Sequence, residues 1–193
     1  MIVTVGEHDA ILIVDVQRDF LPGGNLAVAA GDEVVPVLNR YLELARAKGL
    51  PVFASRDWHP RNHCSFRARG GPWPEHCVAG TPGAAFAPGL ELPEDATVID
   101  KATGPDADAY SAFQGTDLAS RLRERGVKRL LVGGLATDYC VLSTVRDARK
   151  AGFDVLLLAD AVRAVNARPG DGERAEGEMR REGASFIDIG GCS

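Results

Sequence analysis

The chain has 193 residues, 45 % hydrophobic and 25 % charged, with a formal net charge of −5, which predicts one soluble domain over residues 1–193 with a real core. The acidic balance and the lack of any basic stripe speak against nucleic acid as a partner, and the N-terminal apolar run, broken by Asp15, suits neither a signal peptide nor a membrane span. Four cysteines are too few for a disulfide scaffold, so they read as reduced thiols and predict a cytoplasmic address.

"DAILIVDVQ" is an apolar run of strand length, stopped by the turn-rich "LPGGN". "GDEVVPVLNRYLELARAKG" repeats apolar residues at three and four, which predicts an amphipathic helix stopped by Gly49. "LPVFASRD" and "ATVIDK" read as the next two strands, "TDLASRLRERG" as a helix ending at Gly126, and "VKRLLVGGL" as a strand. "TDYCVLSTVRDARKAG" is predicted helical with Thr137 or Asp138 as its N-cap, "FDVLLLAD" a strand, "DGERAEGEMRREG" an exposed helix, and "ASFIDI" the last strand. Strands alternating with helices predict a three-layer α/β/α fold, its mostly parallel sheet covered on both faces. Between the second and third strands, residues 58–94 lack periodicity and are rich in Pro, Gly, His and Cys. A loop that long in a compact domain is usually functional or disordered.

Chemistry in such folds gathers at the C-terminal ends of the strands. Asp15, Asp57 and Lys101 end the first three strands, and Cys140 follows the fourth. Alone, Asp15 reads equally well as a cap or a structural ion pair, Lys101 as a solvated lysine, and Cys140 as a buried small hydrophobe. Together they supply a proton acceptor, a cation and a thiol. Cys140 also falls in the first turn of its helix, where the dipole and free N–H groups favour a thiolate and a developing oxyanion. Gly133 and Gly134 would let the backbone approach a ligand closely.

Three of the four histidines fall in "DWHPRNHCSFRARGGPWPEHC". Asp57, His59, His63 and His76 form D-x-H-x3-H-x12-H, a set of hard or borderline ligands, and Asp57 and His59 share one side of an extended segment. No closed structural zinc signature is present, which favours an open site completed by water. Aspartate, histidine and water suit Zn, Fe and Mn, with zinc the first expectation for one divalent ion.

The stretches "DVQRDFLPGGNLAV", "RDWHPRNHCSF", "WPEHCVAGTPGAAF", "KATGPDADAYSAF" and "GLATDYCVLSTVRDA" resemble, in order and spacing, the nicotinamidases of the isochorismatase-like cysteine hydrolases. The likeness covers essentially the whole chain. It implies a six-stranded sheet of Rossmann-like topology and a catalytic Asp15–Lys101–Cys140 triad. It also implies a metal on Asp57, His59 and His76, with His63 an additional ligand in some relatives. A cis peptide before Ala136 would aim the Ala136 and Cys140 N–H groups at the oxyanion, and Phe20 and Trp73 would line a ring pocket. The implied reaction is hydrolysis of nicotinamide, with pyrazinamide as an analogue, through a Cys140 thioester. Whether the chain forms a homo-oligomer is not legible. Another small amide or ureido substrate is the alternative within the fold, and the Asp/His loop argues against it. Isochorismatases proper lack the cysteine. A nucleotide-binding or redox module is disfavoured because G-x-G-x-x-G and C-x-x-C are both missing.

Overall fold

Each short apolar run becomes a parallel strand in the computed structural model, which describes residues 2–193. The strands are β1 (Asp9–Val14), β2 (Val52–Asp57), β3 (Thr97–Lys101), β4 (Arg129–Leu135), β5 (Asp154–Arg163) and β6 (Ser185–Ile187). The helices are α1 (Val34–Lys48), α2 (Leu118–Glu124), α3 (Leu142–Lys150) and α4 (Asp171–Arg181). No helix among the described residues is long and apolar enough to cross a membrane.

The six strands lie in the order β3-β2-β1-β4-β5-β6. Successive side chains of a strand point to opposite faces, so the continuous apolar run of β1 feeds two cores. Ile11 and Ile13 pack with Leu38, Tyr41 and Leu42 of α1. Ala10, Leu12 and Val14 pack with Leu118 and Leu122 of α2, Val145 and Ala148 of α3, and Met179 of α4. The result is three layers, with α1 on one face and the other helices opposite. α1 ends as its sequence dictates: Gly49 takes a left-handed φ of 67° and donates its N–H back to Ala45 and Arg46.

The chain runs outward from β1 through β2 to β3, then crosses back to place β4 on the other side of β1. That reversal opens a crevice at the carboxyl ends of β1 and β4, where α/β sheets bind their ligands.

Three sequence expectations are corrected. The glycine pair does not make room for a ligand: a Cβ on Gly134, whose φ is 124°, would lie 2.1 Å from the carbonyl oxygen of Val14 on β1. Neither Thr137 nor Asp138 caps a helix. The backbone N-cap is Ala136, Thr137–Val141 form a π-helical turn running into α3, and Asp138 instead accepts the N–H groups of Val165 and Asn166 at 2.8 Å each. Finally, α4 is amphipathic rather than exposed, since it buries Gly172, Ala175 and Met179.

Candidate active site

Asp15, Asp57 and Lys101 arrive at one point because their strands are neighbours. Asp57 and Lys101 end β2 and β3 and are paired in register, and Asp15 follows the last residue of β1. Cys140 reaches the same point from the turn after β4. Lys101 is 1 % exposed, and its Nζ lies 3.0 Å from Asp15 Oδ2 and 3.7 Å from Cys140 Sγ. It also donates to Asp57 Oδ1 and, at 2.9 Å, to the Ala109 carbonyl. Ser55 donates to Asp15 Oδ1 at 2.7 Å. Asp15 Oδ2 faces the Lys101 ammonium as a buried ion pair.

Burial dominates the electrostatics. Desolvation holds the Asp15 carboxyl above its ordinary range, with Lys101 opposing and Asp57 reinforcing. Desolvation also resists ionisation of Asp57, but Lys101 and His59 outweigh it and hold that carboxyl below its usual range. Burial disfavours the Lys101 ammonium, yet Asp15 and Asp57 keep it charged far above neutrality. Burial pushes the Cys140 thiol well up; Lys101 opposes this while Asp15 and Asp57 add to it. The sequence pointed to a favoured thiolate. Burial instead raises the thiol pKa, and the Asp15 carboxylate stands within 4.8 Å of the sulfur as the group that can take its proton.

Asp57, His59 and His76 offer three buried ligand atoms within 4.8 Å of one another. His59 Nδ1–H donates to the Ala102 carbonyl at 3.1 Å and His76 Nδ1–H to the Pro74 carbonyl at 2.8 Å, which leaves each Nε2 with a lone pair. His59 Nε2 is buried with no partner among the described residues. The Nε2 atoms lie 3.5 Å (His59) and 3.9 Å (His76) from Asp57 Oδ2. Two imidazoles held by their other nitrogens beside a carboxylate, one of them otherwise unsatisfied, fit a divalent cation. Burial keeps His76 in the required neutral form by lowering its pKa. His63 is different. Its Nε2–H donates to Ala107 at 3.2 Å and its Nδ1 accepts from the Ser65 hydroxyl at 2.7 Å, so both ring nitrogens are spent while the ring stacks on His59 at 4.1 Å.

The two clusters face one aromatic pocket. Its walls include Phe20, Trp73, Leu26, Val28, Tyr110, Leu135, Tyr139 and Val165; Cys140, Asp57, His59 and His76 also line it. Trp73 donates its indole N–H to Tyr110 at 3.0 Å and meets the Tyr139 ring edge-on at 5.3 Å. The Leu135–Ala136 peptide bond is cis. Tyr139 and Val141 both donate to the Ala136 carbonyl at 3.1 Å, bracketing Cys140.

The Isochorismatase domain model matches residues 9–189. The chain belongs to the isochorismatase family. Within that family it is 41 % identical over 201 residues to the nicotinamidase of Escherichia coli, covering 93 % of this chain and 94 % of that one. Among solved structures, the pyrazinamidase of Pyrococcus horikoshii in complex with zinc superposes with a TM-score of 0.91 at 53 % identity, covering 94 % of this chain and 99 % of that one. An L. infantum family member in complex with nicotinate also gives 0.91, at 37 % identity, covering 100 % and 99 %.

Sequence reasoning assigned no role to Gln17, whose side-chain amide donates to the Asp57 carbonyl and accepts the Asp57 N–H at 2.8 Å each, nor to Asp19, Ser55, Tyr110 or Tyr139. The signal for the first two was a pair of polar residues at alternate positions in "DVQRDF", directly after a buried strand. For Tyr139 it was adjacency to Cys140.

Proposed function

We propose that the chain hydrolyses nicotinamide to nicotinate and ammonia through a thioester on Cys140. One observation carries the reading: a buried thiol in contact with a Lys–Asp ion pair opens into the same aromatic pocket as a three-donor cluster with an unsatisfied imidazole nitrogen. Held by Asp57, His59 and His76, a divalent ion, zinc first, would take the pyridine nitrogen as a further ligand and so orient the ring.

The chain's own residues do the covalent chemistry. As Sγ bonds to the carboxamide carbon, its proton passes to Asp15 Oδ2, and the carbonyl π pair moves onto oxygen, where the Ala136 and Cys140 N–H groups receive it. Protonated Asp15 then gives its proton to the amide nitrogen. The C–N bond breaks, ammonia departs and the acyl group stays on sulfur. Asp15 next takes a proton from water, which attacks the thioester, and returns it to the leaving thiolate. Lys101 keeps Asp15 ionised between these transfers and stabilises the transient thiolate. Phe20 and Trp73 clasp the ring and exclude bulk water. The four cysteines, unpaired among the described residues, fit the reducing cytoplasm, which we propose as the site of action.

The test is ammonia release from nicotinamide by zinc-loaded protein, with Cys140→Ala alongside. Wild type should turn over and the variant should be inactive with its fold intact. Ammonia release that survives in Cys140→Ala refutes the covalent route, and no release by wild type refutes the substrate.

A further inference from the structure

Asp19, in the segment after β1, takes no part in the chemistry above, yet it is 7 % exposed and forms no ion pair among the described residues. A buried carboxylate is costly unless it is hydrogen-bonded. Its two oxygens are satisfied by two different loops. Oδ2 accepts the Cys77 N–H at 2.7 Å, and Oδ1 accepts the Asn25 N–H at 3.3 Å. Cys77 directly follows His76 and sits at a left-handed φ of 46°, a conformation that persists only when its surroundings enforce it. Asn25 opens the stretch that forms the other pocket wall. There Leu26 N–H donates to the Asp19 carbonyl and Val28 N–H to the Phe20 carbonyl, each at 2.9 Å. The Phe20 and His76 rings lie side by side in the site, tilted by 52° with centroids 5.8 Å apart.

We propose that Asp19 is a positioning residue that locks His76 and the Phe20 wall into one register, so that the ring bound by the wall meets the ion bound by His76. The inference rests on the proposed reading of Asp57, His59 and His76 as the metal set. Asparagine cannot replace Asp19, because its single carbonyl oxygen serves one of the two N–H groups and its NH2 then opposes the other. Gly83 supplies an independent handle. A Cβ there would lie 2.2 Å from Asp19 Oδ2, so Gly83→Ala pushes the carboxylate out of place while leaving its charge intact.

The experiment measures zinc affinity by chelator competition, kcat and KM for nicotinamide on zinc-saturated protein, and the alkylation rate of Cys140 by iodoacetamide in metal-free protein. All are read on the folded fraction of wild type, Asp19→Asn and Gly83→Ala. Both variants should bind zinc roughly tenfold or more weakly and show a raised KM, with kcat less affected and Cys140 alkylated at the wild-type rate. Should Asp19→Asn fail to fold, Gly83→Ala decides alone. Wild-type zinc affinity in a folded variant overturns the proposal, as does a parallel loss of Cys140 reactivity, which would mark general distortion. Absence of zinc binding by wild type itself would overturn the metal reading and this inference with it, a result distinct from unchanged affinity in the variants.

Discussion

Replacing Lys101 with methionine removes the one ammonium held between Asp15, Asp57 and Cys140 and keeps the volume of its stem. Both carboxylates are then buried without a cation. Breaking a buried pair by deleting one partner costs about 3–5 kcal/mol, most of it the uncompensated charge left behind. For a chain of this length each kcal/mol lowers Tm by roughly 2–4 °C, so the metal-stripped variant should melt about 6–20 °C below metal-stripped wild type at pH 7.5. The pH dependence has a definite sign. In wild type the depressed Asp57 contributes stability above its unfolded value of 3.8, lost as pH falls through the lower folded value, while the raised Asp15 opposes it by losing stability as pH rises. Without Lys101 both carboxyls are held up by burial, so the folded variant binds more protons than the unfolded chain, and its stability falls as pH rises above about 4. The Tm gap should therefore be smallest near pH 4 and widen toward neutrality. Asp15 would be protonated at rest and unable to act as base, which costs on the order of 10³-fold in kcat/KM. Thermal unfolding of chelator-treated proteins across pH 4–8 measures this. A variant melting within about 2 °C of wild type at pH 7.5, or a gap that narrows as pH rises, would refute the reasoning.

Replacing Asp57, His59 or His76 by alanine should strip zinc and activity together, whereas His63→Ala, whose ring nitrogens are committed to Ser65 and Ala107, should retain bound zinc by elemental analysis; equal loss in His63→Ala and His76→Ala would place His63 among the ligands. Benzamide, which has C–H in place of the ring nitrogen, should fall on the order of 10²-fold or more in kcat/KM below nicotinamide, while pyrazinamide is still turned over. Comparable values for benzamide and nicotinamide would remove the orienting role from the metal set.

The strands were legible because each is a short apolar run closed by turn residues, and the parallel sheet between two helical layers followed from their alternation with helices, whereas the six-stranded Rossmann-like topology came from the family resemblance. Asp15, Asp57, Lys101 and Cys140 could be placed together because each sits at or just beyond a strand end. What escaped was set by contacts between segments distant in sequence. Nothing near Gly134 reveals that Val14 will lie against it. Asp138 has the look of a cap, but the loop at Val165 and Asn166 claims its carboxylate. The difference between His63 and His76 lies in which carbonyl or hydroxyl meets each ring nitrogen, and those partners come from the fold. Left-handed backbone at Asp15, Cys77 and Ala102, each next to a site residue or itself one, has no signature in the residue types.

The reversal that puts β4 beside β1 also fixes the order in which the molecule can be completed during synthesis. Of the six strands β1 leaves the ribosome first yet lies at the middle of the sheet, and its second neighbour arrives late: Arg129 of β4 pairs with Asp9 of β1 at a sequence separation of 120. Until then one side of its hydrogen-bonding edge is open, although Lys101, at the end of the earlier strand β3, is already available to pair with Asp15. Closing so long a chain segment before its contacts can reward it slows folding, and an uncovered apolar strand is prone to pair with other chains meanwhile. A nascent chain stalled before β4 should therefore expose the β1 edge to holdase chaperones, and catalytic competence should appear only after α3 has emerged, in a single late step.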